Sequence, residues 1–153
     1  MKHNGYETTR LIPIFPSSNE FKRDLRNELL KDWPYAAHYV DSAIKTAYSI
    51  LSSWRQNYLK GLRRRRRPIV KREFVRVKTT LMRIEGARIR ITVEPYKRYF
   101  ELDFSKEWFY ERVKDCKIGE LIIKEKEVYI TFKRKVLRSR RTNPLYLTML
   151  KHH

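Results

Sequence analysis

The chain has 153 residues, 41% of them hydrophobic and 13% aromatic, and 36 Lys and Arg against 17 Asp and Glu give a formal charge of +19 at pH 7. This length fits one domain, or two small lobes sharing a core that needs no covalent staples, and the apolar content excludes a wholly disordered tail. The single cysteine, Cys116, excludes an internal disulfide and a cysteine-built zinc cluster, so neither metal nor cofactor is implied.

Residues 1 to 16 read as irregular, with Pro13 and Pro16 bracketing Ile14 and Phe15. Ser17-Ser18-Asn19-Glu20 is a helix-entry signal, because short polar side chains satisfy orphan backbone donors. A first helix is expected from Glu20 to Lys31, with Phe21, Leu25 and Leu29 on one stripe. Past Pro34, a long helix is expected from Tyr35 to Lys60. Val40, Ala43, Ala47, Leu51, Trp54 and Tyr58 fall three or four apart along it, and Gly61 is a natural terminator. Lone His38 reads as a surface or packing residue, since no second histidine is near it in sequence.

Arg63 to Arg67 then run uninterrupted to Pro68. From Arg55 to Arg98, sixteen basic residues face only Glu73, Glu85 and Glu94, a net +13. Repulsion of that density destabilises a compact fold unless a polyanion relieves it, and each phosphate neutralised by a Lys or Arg releases a condensed counterion. Nucleic acid is therefore the expected partner, although a charge run alone is often only a solvated linker.

Beyond Pro68 the apolar period changes from near four to two. Phe74–Val77, Leu81–Ile84, Arg88–Val93 and Arg98–Phe104 read as strands, with Gly86 turning the second into the third. Lys106 to Cys116 reads as a short helix carrying Trp108, Phe109 and Val113. Ile118–Lys124 and Val128–Val136 read as a hairpin. After Asn143-Pro144, an apolar segment either docks or is severed from its natural partner. The fold class is α+β: an antiparallel β-barrel with an N-terminal helical hairpin and one short helix between strands. The expected divisions are a helical lobe over 1–62, a basic linker over 63–67, a barrel over 68–137 and a tail over 138–153.

Catalytic chemistry is hard to find. The acids are dispersed, no His-hydrophobe-His pair exists, and the four glycines are isolated. No apolar run reaches the roughly 18 residues of a membrane span and no signal-peptide pattern is seen, so a cytoplasmic, nucleoid-associated protein without a membrane partner is expected. The residues expected to contact nucleic acid are Arg55, Lys60, Arg63, Arg64, Arg65, Arg66, Arg67, Lys71, Arg72, Arg76, Lys78, Arg88, Arg90, Lys133 and Lys135. Arg88 and Arg90 share one strand face, opposite Ile89, Ile91 and Val93. Tyr58, Tyr96 and Tyr110 lie near turns or cations and are candidate stackers for unpaired bases. Trp54, Phe100 and Trp108 read as core.

The phrases SSNEFKRDLRNELL, WPYAAHYVDSAIKTAYSILSSWRQNYLKG, PIVKREFVRVKTTLMR, ARIRITVEP and KIGELIIKEKEVYITFKRKV span Ser17 to Val136. Together they resemble the N-terminal recognition-lobe and wedge-barrel portion of the TnpB/OrfB-type insertion-sequence transposases, RNA-guided DNA endonucleases related to type V CRISPR effectors. The resemblance implies a helical lobe inserted into a wedge-like β-barrel, in contact with guide RNA and target DNA. The acidic motifs of the family's RuvC nuclease domain and the cysteine pairs of its zinc ribbon match no positions here, so no catalytic residue carries over. Two other readings stay open. One is a free-standing basic protein that coats DNA or RNA, and the other is a protein-interaction module using the long helix.

Overall fold

A computed structural model describes residues 14–64, residues 67–134 and the strand at 144–150, the last as backbone only. Arg65, Arg66 and Lys135 lie outside the described residues.

The first helix, α1, runs Asn19–Leu30, and Ser18 caps it by accepting the backbone N–H of Phe21 on its hydroxyl at 3.1 Å. The second, α2, runs Ala37–Leu59. The two pack together, and the guanidinium of Arg26 donates to the Asp41 carboxylate at 2.5 Å across them. His38 sits beside the same carboxylate at 3.7 Å, in the surface position expected of it. No residue of α1 is buried. On α2, Val40 and Trp54 are buried, whereas Ala43 and Ala47 of the expected apolar face stay exposed and Leu51 is half-buried. Ser42 is buried as well.

Among the described residues seven strands follow: β1 (Phe74–Val77), β2 (Met82–Glu85), β3 (Arg88–Glu94), β4 (Arg98–Asp103), β5 (Lys117–Lys124), β6 (Glu127–Lys133) and β7 (Pro144–Leu150). They form two antiparallel sheets, of order β1-β5-β6-β7 and β2-β3-β4. A closed barrel is not seen among these pairings, and the architecture is α+β with two sheets around one core. The apolar segment after Pro144 docks as β7 along β6. Strand alternation works as expected on β3, where Ile89 and Ile91 point into the core while Arg88 and Arg90 face solvent.

The expected helix over Lys106–Cys116 shrinks to α3, Tyr110–Val113. Backbone N–H groups of Glu107, Tyr110, Arg112 and Cys116 reach back three residues, to Phe104, Glu107, Phe109 and Val113, so the segment is mostly a chain of tight turns. Phe104, just before this segment, and Phe109 within it both pack on Phe132, at 5.7 and 6.0 Å between ring centroids.

One core joins both sheets, built around Phe109, Phe132, Ile89, Ile91, Leu121 and Ile130. The helical pair is tied to it where α2 begins. The Ala36 N–H donates to the Val93 carbonyl at 3.0 Å, and the Tyr39 hydroxyl donates to the Thr92 carbonyl at 2.6 Å. Burial at this joint pushes the Tyr39 hydroxyl above its ordinary pKa.

Candidate nucleic-acid interface

The end of α2 is built to turn the chain back over an aromatic pair. Trp54, 5% exposed, stacks on Tyr58 at 5.5 Å with 26° between ring planes. Gly61 adopts φ +73°, a conformation strained for any residue with a Cβ. Its N–H donates to the Tyr58 carbonyl at 3.0 Å, and the Leu62 N–H donates to Asn57 at 2.9 Å. This double closure is a Schellman end. The reversal places Arg63, Arg64, Arg67 and Lys71 around a hollow of about 390 Å³ whose lining includes Trp54. No acidic residue lines it, and none of the four cations makes an ion pair among the described residues. Lys60 is exposed at the helix end, Arg55 is half-buried one turn earlier, and Arg72 is exposed beyond Lys71.

The arginines on β3 have different surroundings. Arg83 stands opposite Arg90, and Arg90 in turn stands opposite Glu101. Arg83 pairs with Glu85 at 3.0 Å and Arg88 with Asp103 at 3.7 Å. The Arg90 guanidinium lies 3.8 Å from the centroid of the Tyr99 ring. Three acids thus balance three arginines on this face, and Arg88 and Arg90 are largely committed within it. The Asp103 carboxyl is held below its ordinary pKa mainly by accepting the Ser105 backbone N–H at 2.9 Å, with Arg88 and Lys106 adding to the effect. Arg76 is half-buried and pairs with Glu120 at 3.5 Å, and Lys78 is also half-buried. Lys133 is exposed at the end of β6.

The expected stackers divide three ways. Tyr96 is 96% exposed at the β3–β4 turn with φ +64°, an uncommon conformation for a residue with a Cβ. Tyr58 is half-buried against Trp54. Tyr110 packs on the core, in T-shaped contact with Phe104 at 6.0 Å, so its ring is not a free platform. Trp108, read from sequence as core, is instead 70% exposed. The available signal was the four-residue step: Phe109 and Val113 both face inward, which turns Trp108 and Arg112 outward together.

A long groove of about 1020 Å³ separates α2 from the sheets. Ala43, Ala47 and Ile50 line one side, and Phe74 of β1 and Phe100 of β4 line the other. Where this groove runs, the expected apolar face of α2 is left open at Ala43, Ala47 and Ile50, although α2 lies beside β1. Among the described residues no group of three or more His, Cys, Asp or Glu is placed to hold a metal ion, and no helix is long and apolar enough to cross a membrane.

Comparison with known proteins gives this basic, two-sheet chain its relatives. The family model described as "Uncharacterized protein MJ0013 family" matches residues 1–92. Over 123 residues the chain is 56% identical to the TnpB-like protein MJ1635 of Methanocaldococcus jannaschii, covering 79% of this chain and 30% of that protein. Over 98 residues it is 57% identical to the protein MJ0013 of the same organism, covering 63% of this chain and 60% of that one. The chain thus spans less than two thirds of the length of either relative. No solved structure matches it. With more than half its length matched by that family model, and with a TnpB-like relative sharing over half of the aligned residues, the chain belongs to the MJ0013 family and is TnpB-related.

Proposed function

We propose that this chain is a nucleic-acid-binding part of a transposase-related, RNA-guided system, and that it grips the phosphate backbone with the cationic hollow at the end of α2. The observation that carries this reading is the set of four unpaired cations, Arg63, Arg64, Arg67 and Lys71, gathered by the Gly61 turn without an acid among them. A concave cluster of one sign concentrates its field on an incoming anion. In this reading base pairing to a guide RNA reads the target DNA sequence, while the protein reads backbone and shape. Residues 1–62 act as the recognition-like lobe, 63–67 as a basic linker, and the two sheets from β1 onward, with β7 at the edge of the larger one, as the counterpart of the wedge barrel. The chain holds nucleic acid and does not cut it, in a cytoplasmic, nucleoid-associated setting.

Salt-dependent binding is the test. If about six phosphates are neutralised, log affinity falls against log salt with a slope near −4 to −5. Serine at Arg63, Arg64 and Arg67 together weakens binding several-fold and flattens that slope. A guide-RNA role further requires a larger loss on structured RNA than on random duplex DNA. Equal loss on both would leave a generic polyanion coat, and a flat salt response would overturn nucleic-acid binding altogether.

A further inference from the structure

We propose that the long groove between α2 and the sheets is a docking site for a protein partner, and that its occupant is a short amphipathic helix with an apolar stripe and acidic flanks. This inference is separate from the nucleic-acid reading and does not depend on the arginine hollow.

The groove gathers apolar surface that the fold leaves in water. Trp33, Ile50, Ile69, Val70, Phe74 and Val75 all line it, and each is between 38% and 76% exposed. Single exposed hydrophobic residues are ordinary on a protein surface, but a contiguous set of them marks an interaction site. Polar groups point to the same place. Ser42 Oγ, Thr46 Oγ1 and Arg76 Nε are buried without a hydrogen-bond partner among the described residues, and all three residues line this groove. Buried polar atoms are nearly always paired, so these orphans collect where the surface is incomplete.

Shape selects a helix. The groove residues on α2 run from Tyr39 to Leu51, about 18 Å along the helix axis. Ala43 and Ala47, one turn apart, carry nothing beyond Cβ, so a second helix can approach α2 closely there. Three turns cover that length with apolar side chains at three- and four-residue spacing. Charge selects the flanks. Lys71, Arg72, Arg76 and Arg98 line the groove, and no acid does. Lys71, Arg72 and Arg98 make no ion pair among the described residues, and Arg76 pairs with Glu120 at 3.5 Å. Acidic side chains beside the apolar stripe complement these cations. A second copy of this chain, at +19, is repelled. A phosphate backbone would answer the cations, but it has no apolar surface to cover Ile91, Val93 and Ile123, which also line the groove.

The test uses the full chain and a designed helical peptide of about four turns, with leucines along one stripe and glutamates on both flanks. The glutamate peptide is expected to bind, and the same stripe with lysine flanks is not. Ala47→Trp, which fills the groove from an exposed position, weakens the peptide by about tenfold or more with the melting temperature unmoved. Ile50→Ser, which removes apolar lining without adding bulk, weakens it about fivefold and stands in if the tryptophan variant does not fold. Serine at Arg72 and Arg98 together weakens it about two- to tenfold at low salt, and less at high salt. No saturable binding up to about 1 mM, equal binding of the lysine peptide, or indifference to both groove variants overturns the site. Loss of oligonucleotide binding with Ala47→Trp would assign the groove to nucleic acid, and self-association abolished by that variant would assign it to a second copy; either result overturns the proposal. If oligonucleotide binding falls with serine at Arg63, Arg64 and Arg67 while the peptide is ignored, only this inference fails.

Discussion

Phe109 and Phe132 in the strand half are shut away from water, whereas Phe21 and Leu29, which form the apolar stripe of α1, remain exposed. Both halves carry the apolar spacing proper to their secondary structure. They differ in what lies opposite. Each sheet has a second sheet and the α3 turns against its inner face. The helices pack on each other, α2 also runs beside β1, and the hydrogen bonds that tie them to the sheets lie where α2 begins, at Ala36 and Tyr39. Periodicity tells which face of an element is apolar, but burial needs an opposing surface, and in the helical half the long groove takes its place.

The largest test of this contrast is a matched pair of truncations. Phe132→Ala should cost about 3–5 kcal/mol, as expected for a large aromatic removed from a closed core. Leu29→Ala on α1 should cost about 1 kcal/mol, because Leu29 stays 47% exposed on folding. Denaturant titration of both variants checks this, and similar losses would mean the helical half is as tightly cored as the sheets. Trp54→Ala sharpens the comparison, since Trp54 is the large buried side chain of α2. A loss of about 3 kcal/mol is expected, the low edge of the range for buried aromatics, because one side of the ring lines a hollow.

A smaller effect is expected for the ion pair that joins the helices. Arg26 and Asp41 are partly exposed, and a double-mutant cycle of Arg26→Ala and Asp41→Asn should return a coupling of about 0.2–1 kcal/mol, shrinking with salt. Smaller again, replacing Arg63, Arg64 and Arg67 with serine should leave stability within about 0.5 kcal/mol. A clear drop in melting temperature would make these arginines structural.

The smallest effect expected is a pH dependence at the end of β4. The Asp103 carboxyl is held below its ordinary value by the Ser105 N–H, so the folded state binds a proton there less readily than the unfolded chain does. Its contribution to stability is complete above the unfolded carboxyl pKa and is lost as pH falls through the lowered folded value. Asp103→Asn should remove that part of the acid dependence, and comparing the melting temperatures of the two chains from neutral to acid pH measures it.

Much of this molecule could be read from local chemistry. Ser18 at the entry to α1, Gly61 at the exit of α2 and the alternation along β3 each act through neighbours a few residues away, so the chain order carries their effect directly. The excess of positive charge and its crowding between Arg55 and Arg98 are likewise properties of the sequence. What the tertiary structure alone decided is which of those charges remain free. Arg88 and Arg90 met Asp103, Glu101 and Tyr99 across strand register, while Arg63, Arg64, Arg67 and Lys71 were gathered around a hollow that no acid lines. Trp108 and Tyr110 exchanged their expected roles: Tyr110 packs on Phe104 at the core, while Phe109 is wholly buried and its neighbour Trp108 is left exposed. These outcomes depend on pairing and packing between residues distant in sequence, and no local pattern encodes the identity of a neighbour brought from another strand.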